Sequence, residues 1–172
     1  MNTLVAYFSR PGENYFIGGY RTVDKGNAKI IAERINKTTP SDIFEIEPIN
    51  KYSDNYKKCC QEAKFEFENN IFPEIKNYIE SVKQYKNIIL VYPCWYETIP
   101  QIVATFLKHF DFANKNIYPV CTHEGSGLGK SEKDISKFCR RSKVHPGFAI
   151  RGTYAEKCAS SIEKWIATLN LW

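Results

Sequence analysis

The chain has 172 residues, of which 43% are hydrophobic and 25% charged, and its formal net charge is +5. This length and composition are typical of a globular protein, so we expect residues 1–172 to form one domain. No run approaches the ~18 apolar residues of a membrane span, and the first residues do not have the pattern of a secretion signal. The basic residues are not interleaved with stacking aromatic side chains, which argues against nucleic-acid binding.

The cysteines indicate thiols in a reducing environment. No two of the six are spaced C-x-x-C, so we expect neither a zinc site nor a thioredoxin-type motif, and no metal. Without a secretion signal, the expected location is the cytoplasm, where thiols stay reduced. Residues 130–164 hold nine basic against four acidic side chains. This basic C-terminal face could steer an anionic partner or cofactor, or could be an ordinary solvated surface.

The first half of the chain alternates between strand and helix patterns. Residues 3–9 form an apolar run that is typical of a buried parallel strand. Residues 10–26 predict a long functional or mobile loop, after which Asn27 is placed to cap a helix with an apolar stripe. A half-exposed strand is predicted over residues 42–49, followed by a polar helix over residues 56–69.

The second half repeats the alternation, with one additional helix predicted to begin near Pro73. Pro119 removes one ladder donor from a later strand and argues against a fully paired central position for it. The alternation predicts an α/β protein with a parallel sheet and helices on both faces. The remaining predicted elements are a strand over 88–92, a helix from Pro100, a strand over 116–122, a basic helix over 131–142, a strand over 147–151 and a helix over 154–169.

Three predicted loops follow strands at the same edge of the sheet, where ligands bind in open α/β folds. The first ends at a helix start, Gly26-Asn27, where N–H groups suit a phosphate, although an ordinary helix start has the same pattern. The second carries Trp95, which could stack on a flat cofactor. The third, residues 122–129, is glycine-rich; it misses the P-loop and dinucleotide motifs by one residue each, but permits close backbone approach to a ring.

Together the three loops resemble the flavodoxin family, in particular a branch with the patterns S-R-x-G-E-N-Y…G-N-T, Y-P-x-W-W-G-T-x-P and T-H-G-G-S-G-x-G. The chain reads S-R-P-G-E-N-Y…G-N-A from residue 9, Y-P-C-W-Y-E-T-I-P from residue 92 and T-H-E-G-S-G-L-G from residue 122. The resemblance implies a three-layer fold with a five-stranded parallel sheet ordered 2-1-3-4-5, and FMN as the cofactor. By position, it implies that Ser9, Arg10, Asn27 and Ala28 surround the phosphate, that Pro93, Cys94, Trp95 and Tyr96 flank the isoalloxazine, and that Thr122, His123, Gly125, Ser126 and Gly127 line its other side.

The chain departs from this pattern in three respects. Ala28 replaces the usual Thr, so one hydroxyl is missing at the phosphate. Glu97 replaces the Gly after the aromatic pair, where the resemblance implies a peptide that reorients with the redox state of the flavin. Because a side chain makes positive φ costly, we expect weaker stabilisation of the one-electron-reduced flavin. The net charge is positive, whereas electron-shuttling flavodoxins are typically acidic.

The resemblance leads to a low-potential FMN electron carrier with no catalytic residue of its own, whose partners are a reductase and an acceptor protein. The alternative is an FMN-dependent NAD(P)H oxidoreductase of the quinone reductase type, which Glu97 and the basic C-terminal face favour. A third possibility is a binding module that has lost FMN, against which Trp95 and the glycine-rich loop argue. Cys94 and Cys121 are expected to be ordinary free thiols rather than a redox pair.

Overall fold

The computed structural model describes residues 2–169 and residue 171. A parallel sheet forms its centre, with strand order β4-β1-β5-β6 and with β7 and β8 both paired to the outer side of β6. The elements in chain order are β1 (Thr3–Tyr7), β2 (Gly12–Phe16), β3 (Gly19–Val23), α1 (Asn27–Thr38), β4 (Asp42–Glu45), α2 (Tyr56–Glu68), β5 (Asn87–Pro93), α3 (Gln101–His109), β6 (Asn116–His123), α4 (Ser131–Phe138), β7 (Lys143–Val144), β8 (Phe148–Arg151), a 3-10 helix (Gly152–Lys157) and α5 (Ala159–Thr168).

The sheet has six strands, so the expected count of five is wrong in detail. The difference lies at one edge, where β8 corresponds to the predicted last strand and β7, which was not predicted, precedes it. β7 pairs with Asn116 and Ile117, β8 pairs with Val120 to His123, and Pro119 lies opposite the gap. Pro119 has no N–H to donate to a ladder, which accounts for the break. β6 is nevertheless a central strand, paired with β5 on one side and with β7 and β8 on the other, and its pairing is incomplete only at the break beside Pro119, as the missing donor predicted.

Helices cover both faces of the sheet, as predicted. The stripe of α1 is buried at the four positions that the periodicity indicates: Ala28, Ile31, Ala32 and Ile35. These residues pack with α5 on one face, whereas α2, α3 and α4 contribute to a second apolar cluster on the other. Burying an isoleucine side chain stabilises the fold by roughly 1.5–3 kcal/mol. The two apolar clusters therefore hold the helices against both faces of the sheet.

Residues 10–26 are not an irregular loop, and this prediction is corrected. β2 and β3 form an antiparallel hairpin outside the main sheet, with Phe16 opposite Gly19. Gly18 and Gly19 have φ values of 94° and 128°, which side chains rarely adopt and which close the turn. The hairpin is tied to the body of the protein by Arg10, whose buried guanidinium donates to the carbonyl of Ser53 at 2.9 Å.

The helix predicted near Pro73 is absent from the described structure. Instead, the segment pairs with the chain that follows β4: Ile49 N–H donates to Glu74 O at 2.9 Å and Lys76 N–H donates to Glu47 O at 2.8 Å. Ile75 is still buried, at 4% exposure. The apolar pattern therefore marks the right residues for the core but the wrong backbone conformation.

Two helix boundaries also differ from expectation. Asn27 is the first residue of α1 rather than its cap, because Gly26 occupies the N-cap position and no side chain caps the helix. The predicted closing helix is broken at Cys158, between the 3-10 helix and α5. Among residues 2–169 and 171, no helix combines the length and apolar character needed to cross a bilayer.

Candidate cofactor site

A cavity of about 280 Å³ opens at the carboxyl ends of β1, β5 and β6. This is the edge where ligands bind in open α/β sheets. Ten of the thirteen predicted site residues line it, and Gly125, Ser126 and Gly127 do not. The ten are Ser9, Arg10, Asn27, Ala28, Pro93, Cys94, Trp95, Tyr96, Thr122 and His123. Eight lining residues were not predicted: Asn14, Tyr15, Tyr56, Cys59, Cys60, Ala63, Glu124 and Gly152.

The start of α1 forms a cradle at one end of this cavity. A Cβ on Gly26 would lie 2.3 Å from Ser9 Oγ and 2.4 Å from Arg10 O, so only glycine permits this approach. Ser9 Oγ is buried and lacks a hydrogen-bond partner within the described residues. No side chain caps α1, so its first N–H groups and its positive dipole end are available to an anion.

Arg10 lines the cavity, but its guanidinium is already hydrogen-bonded to backbone carbonyls. The guanidinium donates to the carbonyls of Pro11 at 3.0 Å, Ser53 at 2.9 Å and Asp54 at 3.4 Å, and also to that of Glu13. The side chain therefore holds the hairpin against the chain before α2. Its guanidinium thus serves the scaffold, and the Arg10 carbonyl lies close beside Gly26 at the start of α1.

Trp95 also lines the cavity, and two aromatic rings fix its orientation. Its ring lies 5.3 Å from Phe8 and 4.9 Å from Tyr52, in both cases almost perpendicular. Edge-to-face pairs of this kind contribute about 0.5–1.5 kcal/mol beyond area burial. The indole is therefore a rigid part of the wall.

The turn after Trp95 is backbone-strained. Trp95 and Thr98 exchange two backbone hydrogen bonds of 3.0 Å, and Tyr96 and Glu97 between them have φ values of 51° and 60°. This is a type I′ turn, which normally carries Asn-Gly because both central residues need positive φ. Left-handed non-glycine residues cost about 1–3 kcal/mol each and persist only where the surroundings impose them.

The glycine-rich loop supplies that constraint. Lys130 N–H donates to Glu97 O at 2.5 Å. Gly129 packs so closely against the same peptide that a Cβ would lie 2.2 Å from Glu97 O, and its φ is 52°. The second and third loops are thereby locked together, and the Glu97 carbonyl is held in one orientation.

Cys94 lies in the cavity wall. The neighbouring Cys121 thiol, followed by the Ser126 hydroxyl and the Glu97 backbone, lowers the pKa of Cys94 to about 7, although burial opposes this shift. All six cysteines are free.

Glu124 joins three parts of the site that are far apart in sequence. Its carboxylate accepts from Thr153 N–H at 2.6 Å and from Thr153 Oγ1 at 2.9 Å. Thr153 Oγ1 in turn accepts from Ile17 N–H at the tip of the hairpin, at 3.0 Å. Burial and the charge of Arg151 lower the pKa of the neighbouring His123.

The basic residues of 130–164 do not make one surface near the cavity. Lys133 and Lys137 lie on α4, on one face of the sheet, and Lys164 lies on α5, on the other. The other six lie in β7, β8, the 3-10 helix and the connecting segments. Some are paired with acids, as Lys137 is with Asp134 at 2.6 Å and Arg141 with Asp111 at 2.9 Å. The expected basic C-terminal face is therefore corrected, since tertiary structure separates its members. Over the described part of the chain, no three acidic, His or Cys side chains cluster as metal ligands would.

The family model described as flavodoxin matches residues 2–169, and the chain belongs to this family. No curated protein matches the sequence significantly. A protein assigned as a flavoprotein from Bacteroides eggerthii DSM 20697 is similar over 99% of both chains, with 21% identity and a TM-score of 0.79. A flavoprotein from Lactobacillus acidophilus NCFM, in complex with FMN, is 21% identical, with a TM-score of 0.65 over 91% of this chain and 97% of its own. Oxidised flavodoxin 2 from Bacillus cereus has a TM-score of 0.52 and 15% identity over 98% of this chain and 100% of its own. At these identities the solved structures establish the fold alone, which is flavodoxin-like.

The residues present fit FMN. Ser9 Oγ is a buried hydroxyl with no hydrogen-bond partner among residues 2–169 and 171, and a Cβ at Gly26 would lie 2.3 Å from it. A buried hydroxyl in that condition is costly by itself, and a phosphate at the start of α1 would satisfy it. Trp95, in the same cavity lining, offers a flat apolar wall of the kind on which a planar ring stacks.

Proposed function

We propose that the protein binds FMN in this cavity and acts as a low-potential electron-transfer protein. One observation carries the proposal. The same cavity contains an anion cradle at Ser9 and Gly26 and a rigid aromatic wall at Trp95. Family membership supports the same conclusion independently. Bound FMN would supply the one- and two-electron chemistry that no side chain provides.

The roles of the chain's own groups follow from their positions. Ser9 Oγ and the first N–H groups of α1 bind the phosphate, and the helix dipole adds to their attraction. Trp95 and Tyr96 exclude water from the ring. The Glu97 carbonyl, held by Lys130 N–H at 2.5 Å, presents a fixed rather than a movable acceptor in this loop.

The proposal includes a cytoplasmic setting and protein partners, a reductase and an acceptor. Six free cysteines are compatible with a reducing compartment. The open mouth of the cavity provides the approach that a redox partner needs. Neither a membrane nor a nucleic acid forms part of this proposal.

A second candidate is an FMN-dependent NAD(P)H oxidoreductase. The locked type I′ turn at Tyr96 and Glu97 favours it. Because the peptide there cannot readily reorient, we expect it to stabilise the one-electron-reduced flavin less, which suits transfer of electrons in pairs. It no longer draws support from a basic face, because the basic residues lie on both sides of the sheet.

Reconstitution of the FMN-free protein with FMN tests both candidates. We expect quenching of flavin and tryptophan fluorescence, and failure to bind FMN would contradict both. An anaerobic reductive titration then shows whether electrons enter singly or in pairs. Rapid NADPH oxidation by the purified protein without a reductase would favour the oxidoreductase, and its absence would favour the carrier.

A further inference from the structure

The hairpin of β2 and β3 interrupts the loop whose two ends form the anion cradle. The chain leaves the cradle at Ser9 and Arg10, runs through the hairpin and returns at Gly26. Asn14 and Tyr15, both on β2, line the cavity. The hairpin is therefore part of the cavity wall, and its movement away from the body of the protein would open the site.

The base of the hairpin is held by several hydrogen bonds. The Arg10 guanidinium donates to Ser53 O at 2.9 Å. Glu13 N–H donates to Asp54 O at 2.8 Å, and the Glu13 carboxylate accepts from Tyr56 N–H, at the start of α2, at 3.1 Å. The base is therefore the fixed end of the hairpin.

The turn of the hairpin is held by much less. A Cβ on Gly18 or Gly19 would meet no atom within 4 Å beyond its chain neighbours, and Ile17 is 49% exposed. In the part of the chain that the structure describes, one hydrogen bond joins this turn to the protein outside the hairpin: Ile17 N–H donates to Thr153 Oγ1 at 3.0 Å. Phe16, just before the turn, is buried, so the closed position also removes one aromatic ring from water.

Glu124 orients the hydroxyl that receives this bond. Its carboxylate accepts from Thr153 N–H at 2.6 Å and from Thr153 Oγ1 at 2.9 Å. A hydroxyl has one proton, so its donation to Glu124 leaves its lone pairs for the Ile17 N–H. Hydrogen bonds to a carboxylate are roughly twice as strong as those between neutral groups. We call the Glu124 carboxylate, Thr153 and the Ile17 N–H the latch.

The latch also packs against the start of α1. A Cβ on Gly152, which precedes Thr153, would lie 2.2 Å from Asn27 Nδ2 and 2.9 Å from Glu124 Oε1. Asn27 is the first residue of α1 and follows the glycine of the cradle. Release of the latch would therefore loosen the packing beside the cradle as well as free the turn of the hairpin.

We propose that Glu124 is a positioning residue, which through Thr153 holds the β2–β3 hairpin closed over the cavity and so sets the rate at which the cofactor enters and leaves. Glu124 stands where the pattern T-H-G-G-S-G-x-G has its first glycine, and glycine has no side chain to hold Thr153. The latch is therefore a feature of this chain rather than of the shared pattern. It does not require FMN, whereas its control of cofactor exchange rests on the proposed function.

Limited trypsin digestion of the FMN-free protein measures the position of the hairpin directly. Arg21 lies exposed in β3, whereas Arg10 is followed by proline, where trypsin does not cut. A released two-stranded hairpin is marginally stable, so cleavage after Arg21 follows the population of the open form. We expect Thr153→Val and Glu124→Ala to accelerate this cleavage about three- to tenfold, the equivalent of one hydrogen bond.

Controls separate the latch from general stability. Thr153→Ser keeps the hydroxyl and should restore the parental rate. Thr105→Val is the matched control, since it loses a threonine hydrogen bond of 2.8 Å to Pro73 O, away from the hairpin. Cleavage after Lys51, which is exposed outside the hairpin, provides an internal standard. The double variant of Thr153 and Glu124 should be cut no faster than the faster single variant, because both changes release the same latch.

The outcomes distinguish the latch from the proposed function. A Thr153→Val protein that is cut after Arg21 at the parental rate, or no faster than Thr105→Val, would overturn the latch. In the FMN-loaded protein, Thr153→Val should release FMN about three- to tenfold faster, seen as recovery of flavin fluorescence on dilution. Unchanged release alongside faster cleavage would overturn the control of exchange. If FMN does not bind but Thr153→Val still accelerates cleavage after Arg21 relative to Thr105→Val, the latch stands and the proposed function fails.

Discussion

Replacing Ser9 with alanine should change stability and cofactor affinity in opposite directions. In the protein without FMN, Ser9 Oγ is buried and has no hydrogen-bond partner in the described structure. A buried polar group in that condition costs about 1–3 kcal/mol. Removing the hydroxyl should therefore raise the free energy of unfolding by about 1 kcal/mol, or about 2–4 °C in Tm for a chain of this size.

The same substitution removes one donor to the phosphate. A hydrogen bond to a charged group contributes about 1.5–3 kcal/mol, so the Kd for FMN should rise roughly 10- to 100-fold. Urea unfolding of the FMN-free protein measures the first effect. Titration of FMN with protein, followed by quenching of flavin fluorescence, measures the second.

Thr39→Val provides the matched control. Thr39 Oγ1 is the other buried side-chain oxygen without a partner among the residues described, and it follows the opposite end of α1 from the cavity. Its replacement should raise stability and leave the Kd for FMN unchanged. A Ser9→Ala protein that unfolds more easily than the parent without FMN, or that binds FMN equally well, would refute the assignment of Ser9 to the phosphate.

Three further experiments test the loops. Gly26→Ala should abolish tight FMN binding, because the new Cβ would lie 2.3 Å from Ser9 Oγ, whereas ordinary contacts stay beyond 3.0 Å. Quenching of FMN fluorescence equal to that of the parent would contradict the cradle. Glu97→Gly should be more stable to urea than Glu97→Ala by about 1 kcal/mol, since both lose the side chain but only glycine relieves a positive φ; equal stability would mean that the turn is unstrained. Alkylation of Cys94 by iodoacetamide should rise with pH to half its maximum near pH 7, because the thiolate is the nucleophile. Ser126→Ala should move that midpoint upward, and an unchanged midpoint would exclude the Ser126 hydrogen bond.

Local sequence determined those features that depend on neighbours along the chain. The stripe of α1 is a 3.6-residue repeat whose four apolar positions are all buried, and the apolar runs of β1 and β5 are buried throughout except at Pro93. The carboxyl ends of parallel strands meet at one edge whatever the side chains are, so the meeting of three loops could be predicted as well. Ten of the thirteen predicted residues line the cavity for that reason.

Tertiary structure decided the rest, because contacts distant in sequence outweigh local preference. The segment around Ile75 has a helical pattern, yet it pairs with residues 47–49 and stays extended. Glu97 keeps a left-handed backbone because Gly129 and Lys130 hold it. The cavity wall brings together the hairpin, α2 and the turn after Trp95, and no periodicity along the chain encodes their meeting, since it depends on how separate apolar faces are buried at once.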